Sequence, residues 1–132
     1  MSNIHSFKVR VYYEDTDAGG IVYYANYLKF FERARTEMIY DLFGLNHKKL
    51  KINHDVVFVV RSCNIKYSKS AEFEDQLNIQ TKIIKKSPVR LNLLQEVKRE
   101  EELLVSAEIE LAVINQLGNV NKLPSNFFDK LI

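Results

Sequence analysis

Between residues 11 and 39 the chain reads VYYEDTDAGGIVYYANYLKFFERARTEMI, and no other stretch restricts its fold as much. The segment opens by alternating, breaks at Asp15, Thr16, Asp17, Ala18, Gly19 and Gly20, and resumes with helical spacing. Tyr24, Tyr27, Leu28, Phe31, Ala34, Met38 and Leu42 recur at steps of three and four, which stacks them on one helix face. Phe30 and Ile39 widen that face, and Asn26, Lys29, Arg33 and Glu37 leave only a narrow polar stripe. A helix with so little polar surface must be wrapped, and a sheet is the wrapper the remaining sequence supplies.

Phe7, Val9, Val11 and Tyr13 alternate with Lys8, Arg10, Tyr12 and Glu14, which predicts a strand burying the first set. The helix runs to about Leu42, with Gly44 at a C-cap position and Asn46 placed to cap a short helical turn through Leu50. Residues 56–67, 76–85, 89–99 and 103–114 are β-branched, aromatic or strictly alternating, and read as strands. In the last of these Val105, Ala107, Ile109, Leu111 and Val113 oppose Ser106, Glu108 and Glu110. The connections are short and polar, so neighbouring strands run antiparallel. Pro124 to Leu131 reads as a short terminal helix capped by Ser125. The order predicts an α+β fold, a long central helix wrapped by a curved antiparallel sheet, in one domain spanning residues 1–132.

Composition narrows the function classes. A hydrophobic share of 46% over 132 residues excludes disordered and fibrous chains. A net charge of +2 gives no reason to expect nucleic acid as a partner. The single Cys63 cannot form an intramolecular disulfide; it fits a reducing compartment, and its place in an apolar strand predicts inert packing. No stretch has the length of a membrane span or the character of a signal peptide, so the expected location is the cytoplasm.

The break before the helix is where chemistry fits. Gly19 and Gly20 admit positive φ and a close ligand approach. A helix start adds unsatisfied N–H groups and a positive dipole end. A carboxylate just upstream, Asp17, then pairs a base or nucleophile with an oxyanion site. Its competing roles are a plain turn or a helix cap, and Asp15 and Glu14 compete with it; Asp15, nearer the strand end, is suited to organising the turn. His5, His47 and His54 lack metal-ligand spacing, and no metal is expected. The sequence has no G-x-S-x-G elbow, no P-loop and no G-x-G-x-x-G. Tyr23, Tyr24 and Tyr27 read as packing residues. Lys48, Lys49 and Lys51 read as a solvated loop, and Lys85 and Lys86 beside Ser87 as an exposed hairpin end able to grip a phosphate.

The run YYEDTDAGGIVYYANYLKFFERARTEM resembles the signature of hotdog-fold acyl-CoA thioesterases. Specifically, it resembles the 4-hydroxybenzoyl-CoA thioesterase group and its YbgC branch, which is associated with the bacterial Tol-Pal system. The resemblance continues through FVVRSCNIKYSKSAEFEDQLNIQTKI to the LP near the C-terminus, and the D-x-D-x-x-G-x-V-Y-Y-x-N-Y core is its most specific part. It implies hydrolysis of acyl-CoA thioesters without metal or organic cofactor, in dimers or dimers of dimers with sites at the subunit interface. Asp17 matches the catalytic carboxylate, and Tyr24 the backbone N–H that polarises the thioester carbonyl. Gly19 and Gly20 match the turn that leaves room for that carbonyl, and Lys85 and Lys86 the basic contacts to CoA phosphates. Two positions depart from the pattern: Ser70 stands where relatives often carry Pro, and Glu74 where many have Gly or Asp. A non-catalytic hotdog module binding acyl chains or acyl carrier protein shares the fold, so Asp17 is what favours the enzyme. A hotdog dehydratase requires a histidine near the helix entry, and none lies there.

Overall fold

The computed structural model describes residues 3–131. Strand β1 (Ile4–Arg10) leads through a 3-10 turn (Tyr13–Asp15) into helix α1 (Asn26–Phe43) and helix α2 (His47–His54). Four strands follow: β2 (Val57–Tyr67), β3 (Gln76–Lys86), β4 (Arg90–Arg99) and β5 (Glu102–Ile114). A short helix, α3 (Ser125–Phe128), comes last. The strands form one antiparallel sheet in the order β1-β3-β4-β5-β2, with α1 against one face.

Two periodicities meet in the core. Leu77 and Ile79 of β3, Leu91, Leu93 and Val97 of β4, and the alternate residues Val105 to Val113 of β5 point toward the helix and are buried. They meet Tyr27, Phe30, Phe31, Ala34, Met38 and Ile39, the wide apolar face of α1. Burying a side chain of the Phe30 or Phe31 kind contributes about 2–3 kcal/mol. One polar bracket crosses this interface. The fully buried Gln95 donates from Nε2 to the Phe31 carbonyl at 3.1 Å and to Thr81 Oγ1 at 2.8 Å, and accepts from Arg35 Nη1 at 3.1 Å.

Several elements follow the sequence closely. Gly44 takes φ 69° as the α1 cap, and Asn46 Oδ1 accepts the Lys49 N–H at 2.8 Å, although α2 runs on to His54, past Leu50. Other positions differ for physical reasons. Tyr13 is exposed because the strand stops at Arg10 and the 3-10 turn ends the alternation. Helix α1 begins at Asn26, so Tyr24 precedes it and stays exposed, and Leu28 lies on an uncovered flank. Cys63 is exposed rather than packed inside: it pairs with Ile109 of β5, but β2 is the edge strand of the sheet and has no neighbour on its other flank among the described residues. Strand β3 extends through Lys86. Ser125 caps nothing; Pro124 occupies the N-cap position of α3 and Ser125 is its first residue.

The topology also fixes which loops share an end. The β1–α1 segment, the β2–β3 loop (residues 68–75) and the β4–β5 turn lie at the end where α1 starts. The β3–β4 turn and α2 lie at the other.

Candidate active site

Asp15 and Asp17 divide the work in the segment entering α1. Asp15 Oδ2 accepts the Tyr12 N–H at 2.8 Å and closes the 3-10 turn. The Asp15 carbonyl accepts from Tyr23 N at 3.0 Å and from Asn26 Nδ2 at 2.9 Å, which ties that turn to the first residue of α1. Asp15 is therefore the organiser. Asp17 heads a tight reversal, with Asp17 N donating to Ile21 O at 2.9 Å and Gly20 N to Asp17 O at 3.0 Å. Gly20 sits at φ 81°, the left-handed region that side chains resist. Asp17 Oδ1 accepts the Gly19 N–H at 2.8 Å, and Oδ2 has no partner among the described residues. A Cβ added at Gly19 would stand 3.2 Å from that Oδ1, so the missing side chain leaves the carboxylate its place.

The reversal leans on the β2–β3 loop. Ile21 bridges to Glu72, Val22 N donates to Ala71 O at 2.9 Å, and Ala71 N donates to the buried Tyr27 hydroxyl at 3.0 Å. Between reversal, helix start and loop lies a cavity of about 210 Å³. Asp17 and Tyr24 line it together with Tyr27, Tyr67, Lys69 and Ser70. The Tyr67 ring meets Tyr24 edge-on at 6.2 Å and Tyr27 at 5.8 Å, giving the cavity an aromatic wall. Burial pushes the Tyr27 and Tyr67 hydroxyls above their usual pKa, so both stay protonated donors.

Helix α1 opens on Ala25 with no side-chain cap, and the Tyr24 N–H finds no acceptor among the described residues. Its first turn also carries no acidic residue to satisfy the dipole from within. At the rim Lys69 Nζ pairs with Glu102 Oε2 at 2.6 Å. Glu102 also receives Arg99 at 2.8 Å, and the other arm of Arg99 holds Asp75 at 2.7 Å. Lys69 and then Arg99 hold the Glu102 carboxyl below the usual carboxylate range.

Of the sequence candidates, Asp17, Gly19, Gly20 and Tyr24 come together here. Lys85 and Lys86 do not join them within one chain. They end β3, whose 11 residues put them about 30 Å from the loop at its start. Lys86 moreover donates to the Leu131 carbonyl and lies over the Phe128 ring at 4.6 Å. The histidines are elsewhere: His5 pairs with Asp41 at 2.8 Å beside a second cavity of about 240 Å³, and His47 and His54 belong to α2. In that second cavity His5 already occupies the Asp41 carboxylate. Tyr67 and Lys69 were not legible as site residues. They sit where β2 runs out into a polar loop, and only the sheet order brings that loop beside the start of α1.

Residues 11–131 match the model of the thioesterase-like superfamily. The chain belongs to this family. Acyl-CoA thioesterase YbgC of Haemophilus influenzae is 38% identical over 115 residues, covering 87% of this chain and 84% of that protein. A probable thioesterase from Bartonella henselae superimposes with a TM-score of 0.86 at 38% identity, covering 92% of this chain and all of the other. A mutant 4-hydroxybenzoyl-CoA thioesterase complexed with 4-hydroxybenzoyl-CoA superimposes with a TM-score of 0.91 at 18% identity, over 98% of this chain and 99% of the other. With the observed helix-on-sheet arrangement, these likenesses make the fold a hotdog.

Proposed function

We propose that this superfamily member hydrolyses acyl-CoA thioesters to the free acid and CoA in the Asp17 cavity. The observation that carries the reading is that one small cavity is lined by both Asp17, whose Oδ2 has no partner among the described residues, and Tyr24, whose N–H at the helix entry finds no acceptor among them. The relatives named as acyl-CoA thioesterases support the substrate class.

The thioester carbonyl binds with its oxygen at the Tyr24 N–H, where the positive end of α1 adds to the field. Negative charge develops on that oxygen during attack, so the contact strengthens in the transition state. Removing one such donor typically costs on the order of 3 kcal/mol in barrier. Asp17 serves in one of two ways. As general base it takes a proton from water while the oxygen attacks the carbonyl carbon, and collapse expels CoA thiolate, which takes up the proton. As nucleophile it displaces the thiolate, and water then cleaves the mixed anhydride. Single turnover in ¹⁸O-labelled water tests the second route: label in Asp17 requires an anhydride opened by water at the enzyme's carboxylate, and its absence rules out that branch.

The site is completed by a second copy of the chain. Strand β2 is an 11-residue edge with Val59 and Val60 exposed, a row of unpaired backbone groups that needs cover. Two-fold antiparallel pairing through β2 covers it and gives a homodimer, the building block of a homotetramer. That symmetry sets the neighbour's β3–β4 turn at the same end of the joined sheet as the Asp17 reversal. Lys85 then serves the CoA bound in the neighbouring cavity, as a contact to a CoA phosphate, while Lys86 stays on α3. No described helix is long and apolar enough to cross a membrane, and a cytoplasmic location accords with CoA as substrate.

Thiol release from acyl-CoA by the wild type and by Asp17→Asn tests the reading. The variant keeps the size and loses the base, so turnover falls at least a hundredfold. Equal turnover overturns the assignment. Acyl carrier protein thioesters assayed beside a CoA series of graded acyl length rank the substrates.

A further inference from the structure

One cation stands on the wall of the Asp17 cavity, and the mechanism above does not use it. Lys69 lines that cavity, with its side chain 61% exposed and its Nζ on Glu102 at 2.6 Å. The surroundings are acidic: Glu14, Glu72, Glu74, Glu100 and Glu101 are all exposed at this end of the molecule. Acyl-CoA is a polyanion, and a cavity mouth in a field of carboxylates repels it unless a cation compensates. Arg99 cannot supply that charge, because its two arms are committed to Asp75 and Glu102 and those bonds raise its pKa further.

Building on the thioesterase reading, we propose that Lys69 recognises the pyrophosphate of CoA, exchanging Glu102 for the substrate as acyl-CoA enters. The exchange is inexpensive for three reasons. An exposed Lys–Glu pair is held only weakly against solvent, and a phosphate oxygen is a stronger partner for an ammonium. Glu102 keeps Arg99 at 2.8 Å after Lys69 leaves, so no carboxylate is orphaned. The four-carbon stem lets the ammonium swing outward from the wall, and the pantetheine arm holds the phosphates away from the reacting carbonyl. Lys69 thus selects for the carrier, whereas Asp17 and Tyr24 act on the thioester.

The test compares one acyl group on three carriers: CoA, 3′-dephospho-CoA and the uncharged N-acetylcysteamine. For Lys69→Met, KM rises about five- to tenfold on both CoA forms, and the preference for CoA over N-acetylcysteamine in kcat/KM falls by the same factor. Lys69→Arg restores most of it, and the salt dependence of kcat/KM on acyl-CoA flattens in Lys69→Met. An equal loss on all three carriers overturns the proposal, since Lys69 would then serve the reacting centre or the loop. A loss confined to the form with the 3′-phosphate also overturns it, by moving the contact to the ribose phosphate. A wild type that cleaves none of the three refutes the thioesterase reading instead. Titration of CoA itself into wild type and Lys69→Met by calorimetry then decides on Lys69 alone, through a five- to tenfold change in Kd or none.

Discussion

Replacing Gly19 by Ala probes how finely the Asp17 carboxylate must be placed. The new Cβ would lie 3.2 Å from Oδ1, closer than ordinary contact, so the carboxylate must yield by a few tenths of an ångström. The Gly19 N–H that now holds Oδ1 at 2.8 Å resists that shift. A 1 Å displacement of a reacting group costs up to about a hundredfold in rate, so a few tenths cost roughly three- to tenfold in kcat. Stability moves the other way. Gly19 has no positive φ, and Gly→Ala at a compatible site adds about 0.4–1 kcal/mol by restricting the unfolded chain, or roughly 1–4 °C in Tm at this chain length. Gly20→Ala is the counterpart. Its Cβ meets nothing within 4 Å, but at φ 81° an Ala costs about 1–2 kcal/mol, lowering Tm by roughly 3–8 °C. Thiol-release kinetics and thermal melts on the two variants read both effects. Full kcat in Gly19→Ala with a raised Tm would refute the claim that carboxylate position limits the rate.

Gln95→Leu strands Thr81, the Phe31 carbonyl and Arg35 in or near the core, and should cost about 2–4 kcal/mol in a denaturant titration. Burial holds the His47 imidazole below its usual pKa, and its Nε2 has no partner among the described residues. The unfolded chain therefore binds that proton more readily: the contribution is intact above about pH 6.5 and is lost as pH falls from there toward the lower folded value. Urea melts at pH 7.5 and 5.5 should show the loss in the wild type and a smaller one in His47→Gln. Val60→Lys puts a charge on the exposed β2 edge and should shift the sedimenting species from dimer toward monomer, with thiol release falling in parallel. Phe31→Ala removes a fully buried ring from the second turn of α1 and should cost about 3–5 kcal/mol by the same titration.

The parts of this molecule legible in its sequence are those fixed by period. The stripe of Tyr27, Phe31, Ala34 and Met38 on α1 and the alternation in β5 each have one arrangement that buries them, and both fold that way. The Asp17 reversal was legible because a Gly pair ahead of a helix has few other uses. Tyr13 and Cys63 were misjudged for a shared reason. Alternation tells which residues share a face, and it is silent on whether anything covers that face. The position of β2 at the edge, and the early stop of β1, are decided by pairing partners distant in sequence. The same holds for Lys69 and Tyr67, whose loop reaches the helix start only through the strand order 1-3-4-5-2.

A greasy cylinder lying on a greasy sheet has little to stop it from sliding or rolling. The Gln95 amide, gripping the Phe31 carbonyl from β4 while Thr81 anchors it from β3, removes that freedom in the second turn of the helix. The helix tip is thereby indexed to the sheet, and the spacing between Tyr24 and the Asp17 reversal no longer depends on how well the rim is filled. Side chains around the Asp17 cavity, Tyr24 and Tyr67 among them, are then free to change size over evolution or by design. Substrate choice can drift while the reacting geometry stays in place.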